Sequence, residues 1–238
     1  MRQHLFGIIL ILAAAITTAA QTKPKPKATP AKVPAVVPVW PGTTAIAKKD
    51  IDRGSVSGRT YTHNTLGFEV TFPDTWLIPG DDFEAYMKSQ GFDLELKAPD
   101  SLPASARAKV NAAVKQVDIL LTAYRSMPGS AENAIVRISV EDLSANPQIK
   151  DAVDYFDAVR TMYATMRLLA DFKYSETQAE KLGAMQFGFL DTSSKAGKKR
   201  MYATVRKGVA VMFTISYTRD ADLETLRQVL TYGNFSRS

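Results

Sequence analysis

A short alternation of lysine and proline, Lys23-Pro24-Lys25-Pro26-Lys27, most constrains what this chain can fold into. Residues 22–41 are rich in Pro, Lys, Ala and Val, and such a segment forms no core and favours extended polyproline II. At ~3.1 Å per residue, this segment would reach roughly 60 Å. We therefore predict a disordered tether over residues 21–58, followed by one folded domain over residues 59–238. The tether either resembles the Pro-Lys tethers of envelope proteins or is a passive spacer.

The segment before the tether has the order of a secretory signal. Arg2 precedes an apolar run over residues 5–16, and the small residues Thr18-Ala19-Ala20 follow it. The apolar stretch ends at Ala20 and is shorter than the ~20 residues that a helix needs to cross a bilayer core. We predict a signal peptide over residues 1–20 and an exported protein, periplasmic or secreted, with a retained N-terminal anchor as the alternative.

Cysteine is absent from all 238 residues. This absence excludes the cysteine of a lipoprotein signal, disulfides, thiol catalysis, thiolate zinc sites and iron-sulfur clusters. The domain must therefore be stabilised by its core alone. The roughly 175 residues beyond the tether are enough for one domain with a sizeable core.

The net charge of +6 belongs to the tether rather than to the domain. Residues 21–49 hold six lysines and no acid, and Arg2 adds one base, so 30 − 7 = 23 bases remain against 24 acids. A nearly neutral domain disfavours nucleic-acid binding. The residues expected to contact an anionic membrane surface or wall polymer are Lys23, Lys25, Lys27 and Lys32.

Beyond the tether, periodicity predicts short strands with a few helices among them. The predicted strands cover residues 60–64, 68–72, 92–96, 119–125, 135–141, 174–181, 185–192, 200–206 and 209–218. The predicted helices cover residues 81–88, residues 104–115, a long segment from the Asn146-Pro147 cap to about residue 170, and a last segment between Asp220 and Gly233. In residues 135–141 apolar and polar side chains alternate, which indicates one buried face. The order of elements favours an α+β fold with an antiparallel sheet flanked by helices.

Two stretches of the domain resemble a known family. The run Tyr61-Thr62-His63-Asn64-Thr65-Leu66-Gly67-Phe68-Glu69-Val70-Thr71-Phe72-Pro73-Asp74-Thr75-Trp76 resembles the opening of the PsbP-like and DcrB-like group. Tyr202-Ala203, Lys207-Gly208 and residues 213–218 resemble its closing strands, so the resemblance covers about residues 59–236. It implies an α/β/α sandwich around an antiparallel sheet, used by exported accessory proteins that bind partners without catalysing a reaction.

Few residues of the domain suggest catalysis. His63 is the natural general base, but it stands alone beyond the leader and beside a turn, so we expect it at the surface. The paired carboxylates Asp81-Asp82 and Glu141-Asp142 allow a carboxylate-dependent envelope hydrolase as an alternative function. Motifs for nucleotides, metals and serine nucleophiles are absent from the sequence. We predict no catalytic residue, no cofactor and no metal site.

The binding candidates are basic and aromatic residues. Lys198, Lys199 and Arg200 cluster at a predicted hairpin and could take an acidic partner, although a solvated turn is the more common role of such a cluster. Trp76 is predicted to be a structural plug, and with Tyr86 it supplies the aromatic candidates for a groove. The sequence thus predicts a non-catalytic accessory module of the cell envelope that binds a protein partner. A further alternative assigns the binding function to the tether.

Overall fold

The computed structural model describes residues 51–98, 100, 102–130, 132–165, 170–195 and 197–236. The predicted signal peptide, most of the predicted tether with its lysines Lys23, Lys25, Lys27 and Lys32, and residues 166–169 of the predicted long helix lie outside the described residues. The described residues form an α+β fold with two antiparallel sheets and four helices.

The elements follow one another with few long connections. The strands are β1 Ser55–Ser57, β2 Thr60–His63, β3 Phe68–Thr71, β4 Val117–Tyr124, β5 Ile135–Asp142, β6 Lys173–Tyr174, β7 Gln178–Leu182, β8 Met185–Ser194, β9 Gly197–Arg206, β10 Val209–Tyr217 and β11 Asn234–Phe235. The helices are α1 Phe83–Ser89, α2 Ala104–Val114, α3 Ala152–Thr165 and α4 Asp220–Tyr232.

The small sheet has the strand order β1-β2-β3-β11 and begins earlier than the sequence indicates. Strand β1 lies inside the segment that was predicted to be tether, and it pairs with β2. The hydroxyl of Tyr61 donates to the carbonyl of Arg53 at 2.7 Å, and Ile51 packs against the core. Gly54 has a φ of +70°, and a Cβ at this position would lie 2.6 Å from the Tyr61 hydroxyl. A glycine is therefore required where the chain enters the fold.

The large sheet has the strand order β4-β5-β10-β9-β8-β6, and β7 also pairs with β8. Its β9–β10 hairpin turns at Lys207-Gly208, where both residues have positive φ, 51° and 75°. This is the geometry of a two-residue type I′ turn, as the sequence predicts. Helix α4 and the small sheet cover one face of the large sheet, and helices α2 and α3 cover the other.

The prediction of a strand over residues 92–96 is wrong. Residues 92–98 are irregular, because Asp93 makes local contacts that curl the chain. Its carboxylate accepts the backbone N–H of Glu95 at 3.0 Å and also contacts the ammonium of Lys97. Such short-range bonds compete with pairing to a neighbouring strand.

The long helix begins later than the Asn146-Pro147 cap predicts. The carboxylate of Asp151 accepts the N–H groups of Val153 and Asp154 at 2.8 and 2.9 Å. These bonds satisfy two of the amides that the first turn of a helix leaves free, so α3 starts at Ala152. Among the described residues, no helix is long and apolar enough to cross a membrane.

Candidate functional site

Strand β5 is buried on both faces, not on one. Its apolar residues face α4 and the small sheet, whereas Arg137, Ser139 and Glu141 face helices α2 and α3. All three of these polar side chains are buried. Helices cover the face that the alternation alone would assign to solvent, so polar groups are enclosed between the large sheet and its helices.

Glu141 is held inside the protein as a neutral acid. Burial raises its pKa to about 8. The hydroxyl of Tyr155 donates a hydrogen bond to the carboxylate at 2.9 Å, and this bond partly offsets the rise. The neighbouring Asp142 accepts two bonds from Ser144, both at 3.0 Å. Glu141 is thus enclosed, whereas Asp142 is half-buried. Asp81 and Asp82 are exposed at the start of α1, as the ends of helices commonly are.

Arg137 and Lys199 form a buried cation pair on the helix-covered face. Arg137 is 7% exposed and Lys199 is 2% exposed, on the two strands that flank β10. Burial lowers the pKa of Lys199 to about 7, and the positive charge of Arg137 lowers it further. Burial also lowers the pKa of Arg137, while the charges of Tyr124 and Glu84 act in the opposite direction.

Thr214 of β10 lies between the two cations. In the strand register Thr214 is opposite Arg137 on one side, and Ser216 is opposite Lys199 on the other. Paired residues share a face, and diagonal neighbours lie within reach of long side chains. The buried hydroxyl of Thr214 has no hydrogen-bond partner among the described residues, and the same is true of Ser139. This part of the interior thus holds two cations beside free hydroxyl groups.

The predicted basic cluster at the β8–β9 hairpin is split between the two faces. Consecutive residues of a strand point to opposite sides, so Lys199 is buried while Lys198 is exposed. Arg200 is held by two bonds to Asp191, at 2.7 and 2.6 Å, and its guanidinium lies 4.3 Å from the ring centre of Phe189. The reading of a solvated turn holds for Lys198 and is wrong for Lys199. Lys198 and Lys199 both line the depression described next, whereas Arg200 does not.

An open depression of about 340 Å³ lies at this end of the large sheet. Four residues form a row across it in register: Lys173 of β6, Ser193 of β8, Lys198 of β9 and Tyr217 of β10. The ammonium of Lys198 lies 5.9 Å from the ring centre of Tyr217 and 3.0 Å from the carboxylate of Asp220. The side chain of Lys198 is 53% exposed. We call this row of four residues the basic depression.

The aromatic candidates and His63 have different environments. Trp76 is buried against Phe72, with ring centres 6.0 Å apart, so it is a structural plug and is not offered to a ligand. Tyr86 is 54% exposed on α1. His63 is fully buried, which contradicts the expected surface position, because its ring stacks on Phe68. Its Nδ1 accepts the N–H of Leu66 at 3.2 Å.

Several residues of these sites were not sequence candidates. Arg137, Lys173, Thr214 and Tyr217 come from three different strands, β5, β6 and β10, and only the strand register brings them near the hairpin. One signal was available, since a run of basic residues on a strand must divide between two faces. Among the described residues, no group of three or more His, Asp or Glu side chains could hold a metal ion.

Comparisons with known proteins add a fold similarity. No family model matches the chain, and no curated protein matches it. Solved structures similar to it include cyanobacterial PsbP (CyanoP) from Synechocystis sp. PCC 6803 and LpqN of Mycobacterium tuberculosis, described as involved in cell envelope biogenesis. The match to PsbP is 15% identical in sequence, has a TM-score of 0.39, and covers 77% of this chain and 98% of the PsbP chain. The match to LpqN is 11% identical, has a TM-score of 0.36, and covers 71% of this chain and 83% of the LpqN chain.

The first of these structures is a PsbP protein, and PsbP is the family named in the sequence resemblance. Similarity at these TM-scores indicates nothing about ligands or partners, which must be argued from the residues of this chain.

Proposed function

We propose that this chain is an exported, non-catalytic accessory module of the cell envelope, and that its folded domain binds an acidic protein partner at the basic depression. The observation that carries this proposal is the row in which the exposed Lys173 and Lys198 stand beside the half-buried Ser193 and the buried Tyr217. Aromatic residues such as tyrosine are enriched in protein interfaces, and the rim of an interface is polar.

The charges around the basic depression favour an acidic partner. Asp191 lines it, but both oxygens of its carboxylate are bound to Arg200. Lys198 is paired with Asp220, whose side chain is 80% exposed. An exposed ion pair contributes only about 0–1 kcal/mol, so a carboxylate of the partner can replace Asp220 with little loss. The depression therefore offers lysine charges that an incoming acidic segment can use.

The export and the tether are part of the same proposal. The predicted signal peptide directs the protein out of the cytoplasm, and the Lys-Pro segment holds the domain away from its point of attachment or release. A tether that itself binds anionic wall polymer is the alternative location of the binding function. Binding at the basic depression requires Lys173 and Lys198, whereas binding by the tether requires the lysines of the Lys-Pro segment.

Affinity capture from an envelope extract separates these locations. The bait is the full chain, compared with a K173E/K198E variant and with a variant in which Lys23, Lys25, Lys27 and Lys32 are replaced by Gln. A K109E/K115E variant is the matched control, because both of these lysines are exposed on or next to α2 and the charge change is identical.

We expect one partner to be retained by the control and by the tether variant, and to be lost from K173E/K198E. Retention by K173E/K198E would contradict binding at the basic depression. Loss from the tether variant alone would assign binding to the Lys-Pro segment.

A further inference from the structure

Three of the seven large apolar side chains that the described residues expose belong to helix α1 and its surroundings. Leu77 precedes the helix, Tyr86 lies on it, and Met127 lies in the loop between β4 and β5; their exposed fractions are 36%, 54% and 48%. Two half-buried rings accompany them, Phe83 of α1 and Phe92 just after it. We call these five residues the α1 patch.

Strand β4 fixes one part of the α1 patch. The backbones of Leu77 and Tyr124 exchange two hydrogen bonds, at 2.7 and 2.8 Å. The ring centre of Phe83 lies 5.5 Å from that of Tyr124. Tyr86 follows Phe83 by three residues, and side chains at this spacing are neighbours on a helix surface. Leu77, Phe83 and Tyr86 therefore belong to one surface beside the end of β4.

The loop between β4 and β5 completes the α1 patch. A Cβ at Gly129 would lie 2.7 Å from the ring of Phe92, so this loop lies directly against that ring. Met127 stands two residues earlier in the same loop, and its carbonyl accepts the N–H of Ser130 at 3.2 Å. Exposed apolar groups that cluster in this way mark a surface for interaction.

Uncompensated acidic groups border the α1 patch. Asp81, Asp82 and Glu84 at the start of α1 are exposed, and none of their carboxylates forms an ion pair with a described residue. Residues 77–89 hold these three acids against one base, Lys88, a net charge of −2. The surface thus suits an occupant that is apolar in its middle and basic at its ends.

The chain itself contains a segment of this composition. Residues 33–40 read Val-Pro-Ala-Val-Val-Pro-Val-Trp and carry no charge, and the nearest charged residues on either side are Lys32 and Lys48. The segment lies outside the described residues. A passive spacer requires no aromatic ring, yet Trp40 is one of only two tryptophans in the chain. Proline-rich segments are bound by grooves lined with aromatic side chains.

We propose that residues 33–40 bind to the α1 patch of the same molecule as an extended polyproline II segment. Trp40 contacts the exposed ring of Tyr86, and the lysines that border the segment face the acidic start of α1. The preformed polyproline II conformation lowers the entropy that binding costs. The contact covers α1 and shortens the free part of the tether to residues 21–32.

The length of the connecting chain permits this contact. Ten residues separate Trp40 from Ile51, which already packs against the core. At ~3.1 Å per residue they reach roughly 30 Å. The chain enters the fold beside the β2–β3 turn, where Asp52 contacts Thr65, and α1 follows the other end of β3. A strand of four residues is about 13 Å long, so the connection exceeds this span more than twofold.

An intramolecular contact of this kind requires only weak affinity. A short flexible linker gives an effective concentration of about 1 mM, so a segment with a dissociation constant of about 0.1 mM would be bound roughly nine-tenths of the time. The contact uses neither Lys173 nor Lys198. This proposal and binding of a partner at the basic depression can therefore fail separately.

Acrylamide quenching of tryptophan fluorescence tests the contact in the full chain. Trp76 is 2% exposed, so Trp40 is the tryptophan whose quenching should report the contact, and the W40F variant measures the contribution of Trp76 to be subtracted. Y86S/M127S changes two exposed side chains of the α1 patch and should raise the quenching constant of Trp40 roughly threefold or more. D81N/D82N keeps the apolar side chains and should raise it by about half.

The Y232S/V153S variant is the matched control. It removes two exposed apolar side chains from α4 and α3, and it should leave the quenching constant of Trp40 unchanged. Circular dichroism of each variant checks that the fold is retained. Dilution of the wild type from about 100 μM to about 1 μM should also leave the constant unchanged, because a contact within one molecule does not depend on protein concentration.

Three results would overturn the proposal. The first is a quenching constant that is the same in the wild type and in Y86S/M127S. The second is a rise in Y232S/V153S as large as that in Y86S/M127S, which would remove the contact from the α1 patch. The third is protection of Trp40 that disappears on dilution, which would assign the contact to a second copy of the chain. An unchanged constant in D81N/D82N would contradict the pairing of the lysines with the acidic start of α1.

Discussion

The two faces of the large sheet present different kinds of side chain. On the face that meets α4 and the small sheet, aromatic rings pack edge to face around Phe213, whose ring centre lies 6.1 Å from that of Phe187 and 6.0 Å from that of Phe235. On the face that meets α2 and α3, the same strands present Arg137, Glu141 and Thr214. The first face is a hydrophobic core, and the second mixes apolar contacts with buried charge.

We therefore expect the two faces to contribute differently to stability and to function. Burial of aromatic side chains stabilises the fold without any polar partner. Buried ions are weak contributors to stability, because the loss of their hydration offsets their attraction. Polar groups that a fold encloses against this penalty are candidates for binding.

The largest expected effect is on the aromatic face. F213A should lower the free energy of unfolding by about 3–5 kcal/mol, because it removes a fully buried ring and leaves a cavity. Urea denaturation followed by circular dichroism measures this loss. A loss of less than about 1 kcal/mol would show that the aromatic face is not the main source of stability.

The second prediction concerns the pH dependence of stability on the helix-covered face. The pKa of Glu141 is raised to about 8, above its ordinary value of 4.5, so the folded state holds its proton more tightly than the unfolded state. The contribution of Glu141 to stability is therefore full below pH 4.5 and is lost as the pH rises toward 8, by up to about 1.4 kcal/mol per pH unit.

The E141Q variant should remove this slope, because Gln keeps the acceptor for Tyr155 and does not titrate. Denaturation between pH 5 and pH 7 avoids the range in which Lys199 titrates, since its lowered pKa makes stability rise only from about 7 upward. E69Q changes an exposed glutamate of β3 and is the control. An E141Q profile parallel to that of the wild type would contradict the assignment of a buried neutral acid.

The third prediction has a small effect and the opposite sign to the first. T214V should leave the free energy of unfolding unchanged or raise it by up to about 1 kcal/mol, because it removes a buried hydroxyl that has no partner among the described residues. Residues 213 and 214 are neighbours on β10 and differ in the face that they occupy. A loss of more than about 2 kcal/mol would show that the hydroxyl is already satisfied.

The smallest expected effect is at the basic depression. K198M should change the free energy of unfolding by no more than about 0.5 kcal/mol, because an exposed ion pair contributes little. The same urea denaturation measures it. A larger loss would indicate that the pair with Asp220 supports the fold rather than remaining available to a partner.

The sequence predicts which elements form better than it predicts what covers them. Alternation in β5 correctly separates two sets of side chains, but it contains no information on whether helices or water meet the second set. For the same reason the sequence places Glu141 among the candidate acids. The β9–β10 turn is local, and the sequence predicts it because Lys207-Gly208 specifies it, although β9 begins at Gly197 rather than at residue 200.

The candidate sites depend on contacts between distant residues. Lys173 and Lys198 meet only through the pairing of β6 with β8 and of β8 with β9. His63 was expected at the surface because a turn follows it, yet the packing of the two sheets buries it. Such positions require the register of the sheets, which periodicity in one segment does not provide.

Site-specific photo-crosslinking tests whether a protein partner binds at the basic depression. A photoreactive amino acid is placed at Ser193, in the middle of the basic depression, and at Lys109 on α2 in a second sample of the full chain in its own cell envelope. The account predicts one defined protein adduct from position 193 and none from position 109. The same adducts from both positions, or none from position 193, would contradict a binding site at the basic depression.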